Sequence, residues 1–146
     1  MNAPLYNAEI LRLTTAISHD QRLTDPMASV ERRSPICGSR VTVDVNLDEQ
    51  GRVLEVGMLV RACALGQASA ALLAHHVVGR DVRELADMRD RLTEWLAAGE
   101  GTAPEWPGID VFTPALPYTA RHPSIRLAFE AAAQAAEEAA AVGAPR

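Results

Sequence analysis

Apolar residues recur along this chain at two different spacings. Near the start, Ile10, Leu13 and Ile17 fall at helical spacing, with Leu5 and Tyr6 one turn earlier, which predicts a helix over residues 5–19. The polar run 20–26 breaks it, 28–33 is a short-strand candidate, and Pro35 and Gly38 mark 34–39 as a loop. Val41, Val43, Val45 and Leu47 then alternate with polar residues, the pattern of a half-buried strand. Residues 48–51 supply a turn and 53–60 return as the second arm of a hairpin.

From about residue 62 the period becomes helical. Leu65, Ala68, Ser69, Leu72, Leu73 and Val77 line one face, His76 lies at its edge, and Gly79 ends it. Asp81 and Glu84 have the spacing of a capping box for a next helix, whose apolar face is Leu85, Met88, Leu92, Trp95 and Leu96 and whose stop is Gly99. Residues 99–108 read as an exposed connection, and Pro114, Pro117 and Pro123 make the following stretch irregular. A last helix is expected over 123–141, with proline in its first turn where the missing N–H costs nothing. Its low-complexity stretch 131–141 is expected to fray. The order of elements predicts an α+β domain: a small antiparallel sheet packed on one side by helices, with a long C-terminal helix.

The chain of 146 residues suits a single domain, and 48% apolar residues suffice for a core without disulfides. A net charge of −5 argues against a general electrostatic grip on nucleic acid. All 14 basic residues are arginine, which removes Schiff-base, phosphate-loop and acid–base lysine chemistry together. No run approaches the ~20 apolar residues of a membrane span, and the first residues lack a basic, apolar leader pattern. The expected compartment is the cytoplasm, where thiols stay reduced and serve metals or catalysis. No Gly-x-Ser-x-Gly, Walker lysine or acid–base carboxylate pair supports a hydrolase or transferase.

Two cysteines, Cys37 and Cys63, are the first candidates for chemistry. Cys37 precedes a turn glycine just before a strand, where a buried structural thiol is an equal alternative. Cys63 sits where a strand gives way to a helix rich in small residues; helix N-termini favour thiolate, yet Ala, Gly and Ser also serve plain close packing. His122, at the start of the last helix, reads as a ligand, a base or merely a cap, and a lone exposed histidine is usually just that; His19, His75 and His76 read the same way. His75 and His76 are adjacent on a helix, so they point about 100° apart and form no chelating pair.

The joint pattern carries more than its parts. It runs from Leu5-Tyr6 and Ile10, through Pro35-Ile36-Cys37-Gly38 and an amphipathic hairpin, to Ala62-Cys63-Ala64-Leu65 with Ala68-Ser69. Val78-Gly79-Arg80 follows, and Arg121-His122-x-Ser124 with Leu127 and Phe129 closes it. This resembles the iron–sulfur cluster assembly scaffold family, the IscU, SufU and NifU N-terminal proteins. The resemblance covers about residues 5–133 and leaves 134–146 as an alanine-rich tail; the long stretch between Cys63 and Ser124 looks more like the SufU branch.

The resemblance implies that three cysteines and an aspartate line one exposed end of the domain. They would receive sulfur from a cysteine desulfurase and hold a nascent [2Fe–2S] cluster or iron for recipient apoproteins, or bind Zn²⁺ in SufU-like members. Soft thiolates suit either. Here Ser39 stands where the aspartate belongs and Ser124 where the third cysteine belongs. Serine ligates iron or zinc poorly unless deprotonated, so the remaining ligands are Cys37 and Cys63, with His122 as a weak third. Two chains together could pool four thiolates around one cluster.

Three readings follow: a scaffold or carrier rather than a catalyst; a persulfide acceptor using Cys63; or a divergent, non-ligating paralogue that regulates the pathway.

Overall fold

The computed structural model describes residues 6–16, 20–35 and 38–143, and the backbone but not the side chain of Asp20. Its elements in chain order are α1 (Ala8–Leu13), β1 (Asp20–Gln21), β2 (Ala28–Arg33), β3 (Arg40–Leu47), β4 (Val53–Arg61), α2 (Ala64–His76), α3 (Val82–Ala98) and α4 (His122–Gly143). Two 3-10 helices, Ile109–Ala115 and Thr119–Arg121, lie between α3 and α4. Among the described residues the sheet is antiparallel, in the order β1-β4-β3-β2. The α+β architecture expected from the pattern is the one found.

The alternation in β3 sorts its two faces. Val41, Val43 and Val45 stand opposite Val60, Met58 and Val56 and face the helices. The β3–β4 turn closes where Gly51, at φ +78, donates its N–H to the Asp48 carbonyl at 3.0 Å. On the helix side α4 lies across β2 and β3 and also meets α2 and α3. Its contact face is alanine: Ala131, Ala132, Ala135, Ala136 and Ala139 are fully buried. The run expected to fray is therefore core. Small side chains offer little periodic signal, but they let a helix lie close against the sheet.

The α3 expectation holds residue by residue. Asp81 accepts the Glu84 N–H at 2.8 Å, and Glu84 accepts the Asp81 N–H at 3.3 Å. The five predicted apolar positions are buried, and Gly99 ends the helix at φ +72. At the N-terminus, α1 is shorter than predicted: it starts with Asn7 capping the Ile10 N–H, and residues 14–16 are already turns. Ile17 and His19 lie outside the described residues.

The connection 99–108 is anchored rather than merely exposed. The Trp106 indole is buried, donates to the Leu72 carbonyl at 2.9 Å and packs edge-on to Phe129. The irregular stretch after it feeds Ile109, Phe112, Ala115 and Leu116 into the core.

The other face of the sheet is crossed by residues 22–27. This segment passes so close to β4 that a Cβ on Gly57 would sit 2.6 Å from the Leu23 nitrogen. Asp44 anchors it. Its fully buried carboxylate accepts from the Arg22 guanidinium at 2.7 and 3.0 Å, the Ser29 hydroxyl at 2.6 Å and the Leu23 N–H at 3.0 Å. Burial by itself would raise the carboxyl pKa; the bonds from Arg22, Ser29 and Leu23 outweigh it, so the pKa lies below the usual value.

Candidate functional site

One end of the sheet gathers the residues singled out for chemistry. The β2–β3 connection is closed by the Ser34 N–H on the Ser39 carbonyl at 2.8 Å and the Gly38 N–H on the Ser34 carbonyl at 3.2 Å. Gly38 stands at φ +71, where a side chain would be strained, which accounts for glycine after Cys37. Cys37 itself lies outside the described residues. Ser39 is buried.

Cross-strand pairing of Arg40 with Arg61 sets the end of β4 beside this loop. Two residues on, Cys63 occupies the N-cap position of α2 in an extended conformation, φ −66 and ψ 173. Its thiol is half-buried, forms no disulfide and makes no capping hydrogen bond. The chain turns into α2 as the Gln67 N–H reaches the Cys63 carbonyl at 2.9 Å, and the Gln67 amide braces the Ala62 carbonyl at 3.0 Å.

The start of α4 closes the site from the other side. A Cβ on Gly66, one turn past Cys63, would lie 3.4 Å from the Ser124 carbonyl oxygen and 3.9 Å from the Ser124 Cβ. The buried Ser69 hydroxyl donates to the Ile125 carbonyl at 2.6 Å. Small residues in α2 thus serve close packing, and that packing brings Ser124 to the same end as Cys63. Ser124 is buried to 1% exposure.

His122 points elsewhere. Its Nε2 lies 3.1 Å from the Ala115 carbonyl and 3.0 Å from the Leu116 carbonyl, and the ring is buried. Two carbonyl partners require an N–H at Nε2, so only Nδ1 keeps a lone pair for a metal. The imidazole acts here as a brace between the 3-10 segment and α4. His75 and His76 are in the last turn of α2, about 18 Å along the helix from Cys63. Among the described residues no three His, Cys, Asp or Glu side chains gather closely enough to hold a metal ion.

The structure therefore joins Ser39, Cys63 and Ser124 at one end and turns the His122 Nε2 away from it. Sequence reasoning missed a basic row beside them: Arg33, Arg40 and Arg61 pair across three strands. Only the strand register reveals it.

An antiparallel sheet in this order, with α4 and α2 against one face and α3 packed on α4, defines a small α+β domain. The model of the NifU-like N-terminal domain family matches residues 5–98, and the chain belongs to that family. Its structure is similar to the N-terminal part of a nitrogen-fixing NifU-like protein from Brucella abortus, with 36% identity, a TM-score of 0.84, and coverage of 92% of this chain and 94% of that one. It also shares its fold with a protein of Fervidobacterium islandicum AW-1 described as an iron–sulfur cluster assembly scaffold for the SUF system. There the identity is 20% and the TM-score 0.79, over 90% of this chain and 96% of that one. No curated protein sequence matches significantly. Among the described residues no helix is long and apolar enough to cross a membrane.

Proposed function

We propose that this protein takes part in iron–sulfur cluster assembly as a scaffold that holds iron or a nascent [2Fe–2S] cluster through Cys37 and Cys63. The observation that carries this reading is the convergence of the Cys63 N-cap, the Ser39 loop end and Ser124 at one end of a NifU-like fold. Family membership and 36% identity with the Brucella protein support it. A thiolate pair is half of a normal cluster ligand set, so two chains are needed to complete four thiolates around one cluster. Serine hydroxyls do not substitute for them at neutral pH, and Ser39 and Ser124 are both buried. A cysteine desulfurase is the sulfur source that suits such a site, recipient apoproteins are its outlet, and a reducing cytoplasm keeps the thiols available.

A second reading draws on the same burial. With both serines inside and one half-buried thiol at the helix start, Cys63 suits a persulfide acceptor. In that step the Cys63 thiolate attacks the outer sulfur of a donor persulfide and the donor's S–S bond breaks. The donor cysteine leaves as thiolate, and the sulfane sulfur ends as a persulfide on Cys63. Zn²⁺ bound by the thiolates would accompany this reading.

The deciding experiment measures metal and acid-labile sulfide in protein purified without oxygen, beside the Cys37→Ser/Cys63→Ser variant. Iron together with sulfide, lost in the variant, is the expected result. Zinc without sulfide selects the acceptor. No metal and no sulfide in either protein overturns the scaffold; if Cys63 then also takes no sulfur from a donor persulfide, the acceptor falls too and the regulatory paralogue is the reading to pursue.

A further inference from the structure

The end of the sheet beside Cys63 carries an unusual charge arrangement. Arg33 ends β2, Arg40 begins β3 and Arg61 ends β4, and the register pairs Arg33 with Arg40 and Arg40 with Arg61. Residues directly opposite in antiparallel strands share a face, so three guanidinium groups stand in one row across neighbouring strands. All three residues are exposed. The neighbouring cross-strand pair, Val41 with Val60, faces the helices, so the row lies on the opposite face.

Like charges directly opposite one another destabilise a sheet. On the same face Arg22 is matched to Asp44, and within the row Arg33 is paired with Glu31 at 2.9 Å. Three arginines in register are a local concentration of positive charge in a chain of net charge −5. It borders an open cleft of about 760 Å³, whose floor includes Pro35, Gly38 and Ser39. The cleft therefore adjoins the loop that carries Cys37 and the strand end that leads to Cys63.

We propose that the row of Arg33, Arg40 and Arg61 is a docking surface for an acidic segment of a partner protein, held at the strand end that leads to Cys63. Strands lie about 4.8 Å apart, so the row spans about 10 Å between its outer strands. An extended peptide advances about 3.3 Å per residue and turns alternate side chains to one face, so acidic residues at alternate positions over about five residues cover that span. Guanidinium forks meet carboxylates in bidentate geometry, which a row of lysines would not. An open cleft along a sheet end accommodates a passing chain, whereas a small anion is better held by an enclosed pocket. The surface works the same way whether the thiols carry iron, zinc or sulfur, so this inference stands apart from the proposed function.

The test uses the full chain and a fluorescein-labelled poly-glutamate peptide, with a poly-glutamine peptide of equal length as control, read by fluorescence anisotropy. The glutamate peptide is expected to bind, to weaken as salt rises from about 50 to about 300 mM, and to lose about tenfold or more in affinity in the Arg33→Gln/Arg40→Gln/Arg61→Gln variant. An Arg83→Gln/Arg91→Gln variant, altered on exposed positions of α3, is expected to bind as the parent does. Cys37→Ser/Cys63→Ser protein is expected to keep the peptide affinity, which separates this result from the metal experiment. Removing the row relieves repulsion but also gives up the exposed Arg33–Glu31 pair, a small contribution at a surface, so the triple variant is expected to melt close to the parent, and the same melts show that it is folded. Equal binding by parent and triple variant overturns the proposal, as does no binding at all. Displacement of the peptide by submillimolar inorganic phosphate makes the row a small-anion site and also overturns it. If the triple variant instead breaks up a dimer in analytical ultracentrifugation, the occupant is a second copy of this chain and the proposal falls.

Discussion

Helices α2 and α3 begin with nearly the same backbone and opposite side-chain chemistry. The N-cap residues are both extended, Cys63 at φ −66, ψ 173 and Asp81 at φ −96, ψ 176. Asp81 closes a full capping box with Glu84, is bridged in backbone to Arg52, and has Arg52 and Arg80 near the Glu84 carboxylate. Cys63 makes no capping bond. Serine or aspartate at an N-cap stabilises a helix by about 1 kcal/mol over a residue that cannot accept a hydrogen bond. Helix α2 forgoes that contribution at the end of the molecule where Ser39 and Ser124 lie. Where a polar side chain serves architecture, as at Asp81 and Asp44, its bonding is complete; where a thiol stands at the site, the helix start is left open.

The largest expected effect tests the architectural side of this contrast. Asp44→Ala leaves the Ser29 hydroxyl and Leu23 N–H without their buried acceptor and is expected to cost about 3 kcal/mol in urea denaturation. Its pH dependence has a definite sign. The folded pKa of Asp44 is lowered, so its contribution is complete above the unfolded value of about 3.9 and is lost as pH falls through the folded value. In Asp44→Asn that component of the acid-side decline is expected to disappear. An unchanged acid limb of the stability curve would mean that Asp44 is not the anchor of the 22–27 crossing.

A smaller effect belongs to α3. Asp81→Ala is expected to lower stability by about 1 kcal/mol, read in the same denaturation experiment. Were it silent, the capping box would carry no weight and the contrast with α2 would lose its reference. The smallest effect has the opposite sign. Cys63→Asp supplies the missing acceptor and is expected to raise stability by about 0.5 kcal/mol while abolishing whatever the thiol binds. A clear loss of stability would show that the thiol is needed for packing, and that the open helix start is not a concession to chemistry.

Much of this was legible in the sequence, and the exceptions share a cause. The valine alternation of β3, the capping box and the five apolar positions of α3 are strong local signals and place their elements correctly, but β3 is buried on both faces, Thr42 and Asp44 included, rather than half-buried. The alanine run of α4 was misread because its burial depends on how near the sheet lies, not on side-chain size. The two-residue β1 and the 22–27 crossing have no periodic pattern; β1 is held by pairing with β4, and the crossing by a carboxylate 21 or more residues away in sequence. At the site, the place of Cys63 at a helix start followed from the change of period at residue 62. The burial of Ser124 and the turning of His122 toward the Ala115 and Leu116 carbonyls depend on the 3-10 segment, which prolines disguise as irregular chain. The arginine row is invisible without register, because its members are 7 and 21 residues apart.

The alanine face of α4 also fixes a measure for the whole molecule. Helix α4 is 22 residues long, about 33 Å, and Ser124 is its third residue. A helix that meets its neighbours through methyl groups has almost no side-chain slack to absorb a sliding motion. The position of Ser124 beside Gly66 is therefore gauged by contacts such as Ala136 and Ala139, about 18 Å or more along the same helix. A bulkier residue at that distant end would misalign the thiol-bearing end without touching it, much as a ruler moved at one edge misreads at the other.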